Sequence, residues 1–331
     1  MSIRTTIETM PSVKPTDFIG GLFPKRQLSI MASEPGCGKT WVMLKFCADI
    51  SNEYMYSKFF GLSFREPERK CLMLIGDTGR EMIVDRINKL GIIRNVKSPN
   101  YIFYFVSDMI AEKYPFLLNT VEGRGSIQGL IHHEHPDIVF FDTLISFMTA
   151  DENSAKEISE LFIGLRSMAE EENCAIVLNH HFRKTQGGHT SRKNVSINEV
   201  IGSSAMSRLA SVMIALVRDR TNPQKNIVQV SSVKTWYKEM PSFRFEIKND
   251  SEENVMLIPD YTMGNVIQLR GILSRFADQM QEGMIVSAED LQEVTYAKKD
   301  LVLAALRNMA GYTPLTNAQD CDRFYITKQS S

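Results

Sequence analysis

The sequence predicts an α/β protein, a twisted sheet with a parallel core and antiparallel additions, followed by a small C-terminal helical module. Three observations carry this. A buried apolar strand, a glycine loop and a helix of apolar period follow one another across 26–50. Short, continuously apolar runs recur near 71–75, 138–141 and 174–179, as strands covered on both faces do. After about residue 218 the pattern turns to further strands, and after 263 to short helices.

The first strand is RQLSIMAS (26–33), apolar at Leu28, Ile30 and Met31. Glu34, Pro35, Gly36, Cys37, Gly38, Lys39 and Thr40 follow, and a helix then carries Val42, Met43, Phe46, Cys47 and Ile50. This is nearly the G-x-x-x-x-G-K-[ST] phosphate loop, with Ser33 in the first glycine position. The residue types suit a polyphosphate. Gly36 and Gly38 let backbone N–H groups turn around phosphate oxygens. The helix start adds its positive dipole end. Lys39 is a point charge for the β and γ phosphates, and Thr40 offers a hydroxyl to magnesium. The ligands expected are therefore ATP and Mg2+. Serine is small enough to be tolerated at the turn.

KCLMLIGDTGREMIVDRINKLG (70–91) reads as a strand over 71–75, then Gly76 and Asp77, then a helix bearing Met82, Ile83, Ile87 and Leu90. PDIVFFDTLISF (136–147) reads as a central strand ending in Asp142, where a magnesium-side carboxylate belongs. Thr143 follows it, so no glutamate stands there to act as base. That leaves Asp77, at the tip of another strand, as the candidate to orient the attacking water; Glu81 competes but falls within the helix. Asp77 as a plain turn or N-cap residue is the alternative.

SAKEISELFIGLRSMAEEENC is an amphipathic helix with Ile158, Leu161, Phe162, Leu165 and Met168 on one face, and Ser154 with Glu157 suggests a capping box. It is packing and carries no chemistry. CAIVLN (174–179) is a third core strand ending in His180 and His181, where a polar tip could meet a γ-phosphate. The next stretch, FRKTQGGHTSRKNVSI (182–197), holds Arg183, Lys184, Arg192 and Lys193 with no acid before Glu199. It suits a sugar-phosphate backbone, against the alternative of a solvated surface loop.

NIVQVSSVKTW and SFRFEIKN extend the sheet as antiparallel strands. Residues 263–331 suggest a helix near 265–279, a short one at 287–293, one at 297–310 and a strand at DRFYITK, in winged-helix order. Seven Lys/Arg (270, 275, 298, 299, 307, 323, 328) face eight Asp/Glu (278, 282, 289, 290, 293, 300, 320, 322) there. That balance disfavours a general DNA binder and suits contact with a protein.

Whole-chain chemistry narrows the rest. With 38 basic and 39 acidic residues, any nucleic-acid contact must be a local patch. Five cysteines without ligand spacing argue against a patterned zinc site and suit a cytoplasmic, reducing setting. The opening MSIRTTIETMPSVKP has no apolar core, and no apolar run reaches the roughly 18 residues that span a bilayer.

Taken in order, the phosphate loop, LIGDTGREMIVDRI, IVFFDTL, NHHFRK and GSSAMSRLASVMIAL (202–216) resemble the RecA/DnaB-type P-loop ATPases, most narrowly the plasmid RepA-type hexameric replicative helicases, over about 18–250. The resemblance implies an N-terminal arm (1–25), a RecA-like ATPase domain (26–260) and a winged-helix-like C-terminal domain (263–331). It implies a ring, expected to be a hexamer, acting on single-stranded DNA in replication of a plasmid, phage or mobile element. It places Lys39 and Thr40 on phosphate and magnesium, Asp142 on the magnesium side, Asp77 in the place of a catalytic glutamate, His180 as the sensor, and Arg86 as a helix arginine. It implies that the 183–193 loop faces the channel. A trans-acting cation is also implied: Lys234 is kept, Trp236 stands where an arginine is usual, and Arg208, Arg218 and Arg220 remain candidates. The departures at Asp77 and Trp236 keep a second reading open, a regulatory or assembly ATPase that switches a protein partner without unwinding.

Overall fold

The structure, a computed structural model, describes residues 17–51, 68–92, 100–182, 204–220, 224–237, 243–251, 254–259 and most of 269–327. A short hairpin, β1 (Phe18–Ile19) with β2 (Phe23–Pro24), precedes the P-loop strand β3 (Leu28–Ser33), all six of whose residues are buried. Then come α1 (Lys39–Ile50), β4 (Cys71–Ile75), α2 (Arg80–Lys89), β5 (Tyr101–Phe105), α3 (Val106–Ala111), α4 (Val121–Glu134) and β6 (Ile138–Asp142). The core continues through α5 (Ala155–Glu171), β7 (Ala175–His181), α6 (Ser204–Leu209), β8 (Val212–Asp219), β9 (Ile227–Thr235), β10 (Phe243–Ser251) and β11 (Asn254–Pro259).

These strands make one nine-stranded sheet in the order β11-β10-β9-β8-β3-β7-β6-β4-β5. From β8 to β5 every neighbouring pair is parallel, and from β8 to β11 every pair is antiparallel. The parallel strands are buried on both faces, which is why they read as continuous apolar runs. Alternation sorts their side chains into two cores. Met31, Phe140 and Val177 join Val42, Met43 and Phe46 of α1 on one face. Ile30, Phe141 and Leu178 join Ile158, Leu161 and Phe162 of α5 on the other.

Helix α5 starts where the sequence places it. Ser154 Oγ accepts the Glu157 N–H at 3.4 Å, but Glu157 does not return the bond; its carboxylate accepts the Asp151 N–H at 3.2 Å. The capping box is thus half of one. Residues 100–134 had no element assigned from sequence and hold β5, α3 and α4. Helix α4 includes VEGRGSIQG, whose glycines weaken both propensity and periodicity; only Gly123, Ile127 and Ile131 are buried along it.

The C-terminal residues have a core of their own around Leu273, Leu291, Val302, Phe324 and Ile326. Helices α7 (Ala288–Thr295) and α8 (Lys299–Leu306) lie with a three-stranded antiparallel sheet, β12 (Ile285–Ser287), β14 (Arg323–Ile326) and β13 (Tyr312–Pro314) in that order. The sequence suggested one strand here and the structure has three. The added two are three residues long, too short to show a period. Among the described residues no helix is long and apolar enough to cross a membrane.

Candidate nucleotide site

Parallel strands present their C-terminal ends to one edge, and the register gathers the site there. Ser33 of β3 pairs with His181 of β7, and Ile75 of β4 with Asp142 of β6. A cavity of about 270 Å³ opens at this edge. The loop residues Ser33, Gly36, Cys37, Gly38, Lys39 and Thr40 form one wall; Asp77, Thr78, Arg86, Asp142 and His181 form the other, with Trp41 at the helix. Gly36 and Gly38 have φ of 71° and 94°, the left-handed region that favours glycine. A Cβ on Gly38 would also sit 2.5 Å from Ile247 Cδ1. Helix α1 begins at Lys39 with no side-chain cap and no acid in its first turn, so its first N–H groups are left for an anion.

Lys39 is 6% exposed, and its Nζ donates to Ser33 Oγ at 3.1 Å and lies 3.1 Å from His181 Nδ1. Burial pulls its pKa down; Asp142 and Asp77 pull the other way. Ser33 therefore does more than fill the glycine position, since its hydroxyl holds the lysine. Thr40 Oγ1 donates to Asp142 Oδ2 at 3.1 Å, and Asn179 Nδ2 donates to Asp142 Oδ1 at 2.9 Å. Burial raises the Asp142 carboxyl, and the nearby Asp77 charge adds to that. A hydroxyl and a buried carboxylate at 3.1 Å are oxygen donors of the kind a hard divalent cation takes, so this pair fits Mg2+. Asp77 is exposed, one residue past Gly76, and accepts the Thr78 hydroxyl at 3.2 Å. Arg86 reaches the same cavity from α2, its guanidinium 5.7 Å from the Trp41 ring centre. Burial pushes the Cys37 thiol up to about 12, so it is no nucleophile at neutral pH.

The sequence put His180 at the cavity, and the structure puts His181 there. The cause is the pleat. Asn179 and His181 share the α1 face of β7 with Ala175 and Val177, while His180 points to the α5 face and is 6% exposed. The parity of Ser33 against β7 was the signal, and it needs the register. Burial, helped by His181 and Lys39, pushes His180 down to about 4. It is neutral at pH 7. Its folded pKa lies below the unfolded 6.5, so the unfolded chain binds the proton first. Stability is intact above about pH 6.5 and is lost as pH falls toward 4, on the order of 3 kcal/mol in all. Urea midpoints at pH 7.5 and 4.5 should show this drop, and His180→Gln should flatten it. An unchanged slope in that variant assigns the drop to other groups.

Three of the four trans-acting candidates, Lys234, Arg218 and Arg220, are engaged within their own chain. Lys234 Nζ donates to the carbonyls of Ser207, Arg208 and Ala210, closing the end of α6, and lies 4.5 Å from the Trp236 ring centre. Arg218 Nη2 donates to Gly36 O at 3.1 Å, and Arg220 pairs with Glu34 at 3.0 Å. Arg208 is exposed. Arg183, Lys184, Arg192 and Lys193 lie outside the described residues.

A parallel-core sheet with a strand between β3 and β6, and a lysine-threonine-aspartate cluster at its tips, make a P-loop site on a fold of the RecA/DnaB type. The chain belongs to the AAA domain family, whose model matches residues 8–187, just over half its length. No curated protein sequence matches it. Among solved structures it is similar to an ATPase domain at 17% identity and a TM-score of 0.51, over 70% of this chain and 85% of that one. It is similar also to a DnaB-like replicative helicase, studied for its interactions with primase, at 16% identity and a TM-score of 0.51, over 70% of this chain and 57% of that one. At these identities the likeness is one of fold.

Proposed function

We propose that this chain is an ATP-driven motor of the replicative-helicase kind, which assembles as a ring, expected to be a hexamer, and moves on single-stranded DNA in replication of a plasmid, phage or mobile element. The observation that carries it is the arrangement of Lys39, Thr40, Asp142 and Asp77 around one cavity, on a fold shared with a DnaB-like replicative helicase. Residues 1–25 would be an arm, 26–260 the RecA-like ATPase domain, and 263–331 a winged-helix-like module contacting a replication protein or the ring.

In this reading Lys39 and the loop N–H groups hold the β and γ phosphates. Thr40 and Asp142 would hold Mg2+, which supplies charge neutralisation at the phosphoryl oxygens. Asp77 orients a water and takes its proton as the water oxygen bonds to the γ phosphorus, while the bond from that phosphorus to the ADP oxygen breaks. His181, beside Lys39, takes the sensor role that the sequence gave to His180. The loop 183–193 begins two residues later, which couples phosphate state to the four cations proposed to grip the DNA backbone. Arg208 is the remaining trans-acting candidate.

The switch reading, a regulatory or assembly ATPase, draws on a specific observation: Lys234 and Arg218 are occupied within their own chain. ATP turnover with and without single-stranded DNA separates the two. Strong stimulation is expected, and Arg192→Ala with Lys193→Ala should weaken DNA binding and flatten its salt dependence. Turnover indifferent to DNA would favour the switch.

A further inference from the structure

The phosphate loop carries an acid next to the residues that line the cavity. Glu34 opens the loop directly after Ser33, and a carboxylate there repels an incoming triphosphate. The structure pairs it. Arg220 Nη2 donates to Glu34 Oε2 at 3.0 Å. Two residues earlier, Arg218 Nη2 donates to the Gly36 carbonyl at 3.1 Å. Both arginines come from the end of β8, which lies against β3 on the side away from β7 and Asp142, with Ser33 opposite Leu216. Side chains that leave β8 just past Leu216 therefore arrive at the loop of their own chain.

We propose that Arg218 and Arg220 are positioning residues acting in cis on the phosphate loop. Arg220 cancels the Glu34 charge, and Arg218 engages the Gly36 carbonyl so that this acceptor does not face the anion. The inference rests on the nucleotide-site reading above and adds to it a pair of cations behind the loop, on the side of β3 away from Asp142. It also withdraws Arg218 from the trans-acting role. As an exposed ion pair, Arg220–Glu34 contributes little to stability. Its effect falls on the ligand: without Arg220, one uncompensated negative charge stands beside the polyphosphate.

Titration of the full-length protein with a fluorescent ATP analogue and Mg2+ tests this as a double-mutant cycle. Arg220→Ala should weaken binding about tenfold, the scale of one charge acting near a polyphosphate at a protein surface. Glu34→Gln alone should bind as well as wild type or better. The double variant should return to within about threefold of wild type, a rescue that misfolding cannot produce. The Arg220→Ala defect should shrink at high salt. Equal binding by Arg220→Ala and wild type overturns the proposal, and so does a double variant no better than the single. For Arg218, mixing Arg218→Ala with Lys39→Ala protein should restore no turnover; restored turnover places Arg218 in trans. Lys39→Ala alone reports on the underlying reading. Binding lost in Lys39→Ala but intact in Arg220→Ala removes the clamp and leaves the site, whereas binding unchanged in Lys39→Ala removes both.

Discussion

Replacing Lys39 by methionine is expected to lower ATP turnover by roughly 10²- to 10³-fold while leaving the protein at least as stable as wild type. The turnover loss follows from position. Lys39 is the one buried cation lining the cavity among the described residues, held between Ser33 Oγ and His181 Nδ1. Deleting a preorganised charge aimed at a transferring phosphoryl group removes about 3–4 kcal/mol of transition-state stabilisation, and ground-state binding falls with it. The stability side follows from the sign of the pKa shift. Burial lowers the Lys39 pKa in the folded chain below the unfolded 10.5, so the native state binds its proton more weakly. At neutral pH the free protein therefore holds a charge at a cost, and that cost fades only as pH rises toward 10.5. Methionine keeps most of the length and removes the charge. Phosphate release and a thermal melt on the same sample check both halves. A melting temperature that falls steeply with activity would mean that Lys39 is structural, and turnover within about threefold of wild type would remove it from the chemistry altogether.

How much of this was legible in the sequence depends on which interactions are local. The P-loop unit was legible because strand, glycine turn and helix are consecutive, and each has its own signal: a continuous apolar run, glycines at positive φ, a period near 3.6. Asp142 and Asp77 were legible for a related reason. Each ends an apolar run, and parallel strands bring such ends to one edge whatever their order. What could not be read depends on register or on reach across strands. The exchange of His180 for His181 turns on a single step of the pleat, fixed only when Ser33 pairs with His181. The Arg218–Gly36 and Arg220–Glu34 contacts join residues 182 and 186 positions apart. Lys234 looked like a free cation because nothing along β9 shows that it caps α6. Helix α4 failed locally, through its glycines and its narrow apolar stripe.

Asp77→Asn is the sharper of the two large effects, since it should separate chemistry from both binding and folding. Asp77 is exposed, its hydrogen bond is with the adjacent Thr78, and Gly76 before it sits too close to Ser146 to carry a side chain, with a Cβ placed 2.1 Å from Ser146 Cβ. The backbone that aims Asp77 is thus fixed by β4 and by that close approach, and the carboxylate itself supports nothing in the core. Turnover should fall by about 10²–10⁴, the usual weight of a general base. ATP affinity should hold or tighten, because one negative charge leaves the cavity, and the melting temperature should not move. Asp77→Glu lengthens the reach by one methylene along the same line. Water positioning tolerates only about 1 Å of error, so this variant tells whether the aspartate is well seated. It is expected to keep turnover within about tenfold of wild type, with the defect in kcat and none in KM. Single-turnover phosphate release measures these steps directly. Near-normal release from Asp77→Asn would move the base to another group lining the cavity and leave Asp77 as a turn residue. Loss of ATP binding in that variant would instead show that the carboxylate organises the pocket before any water is activated.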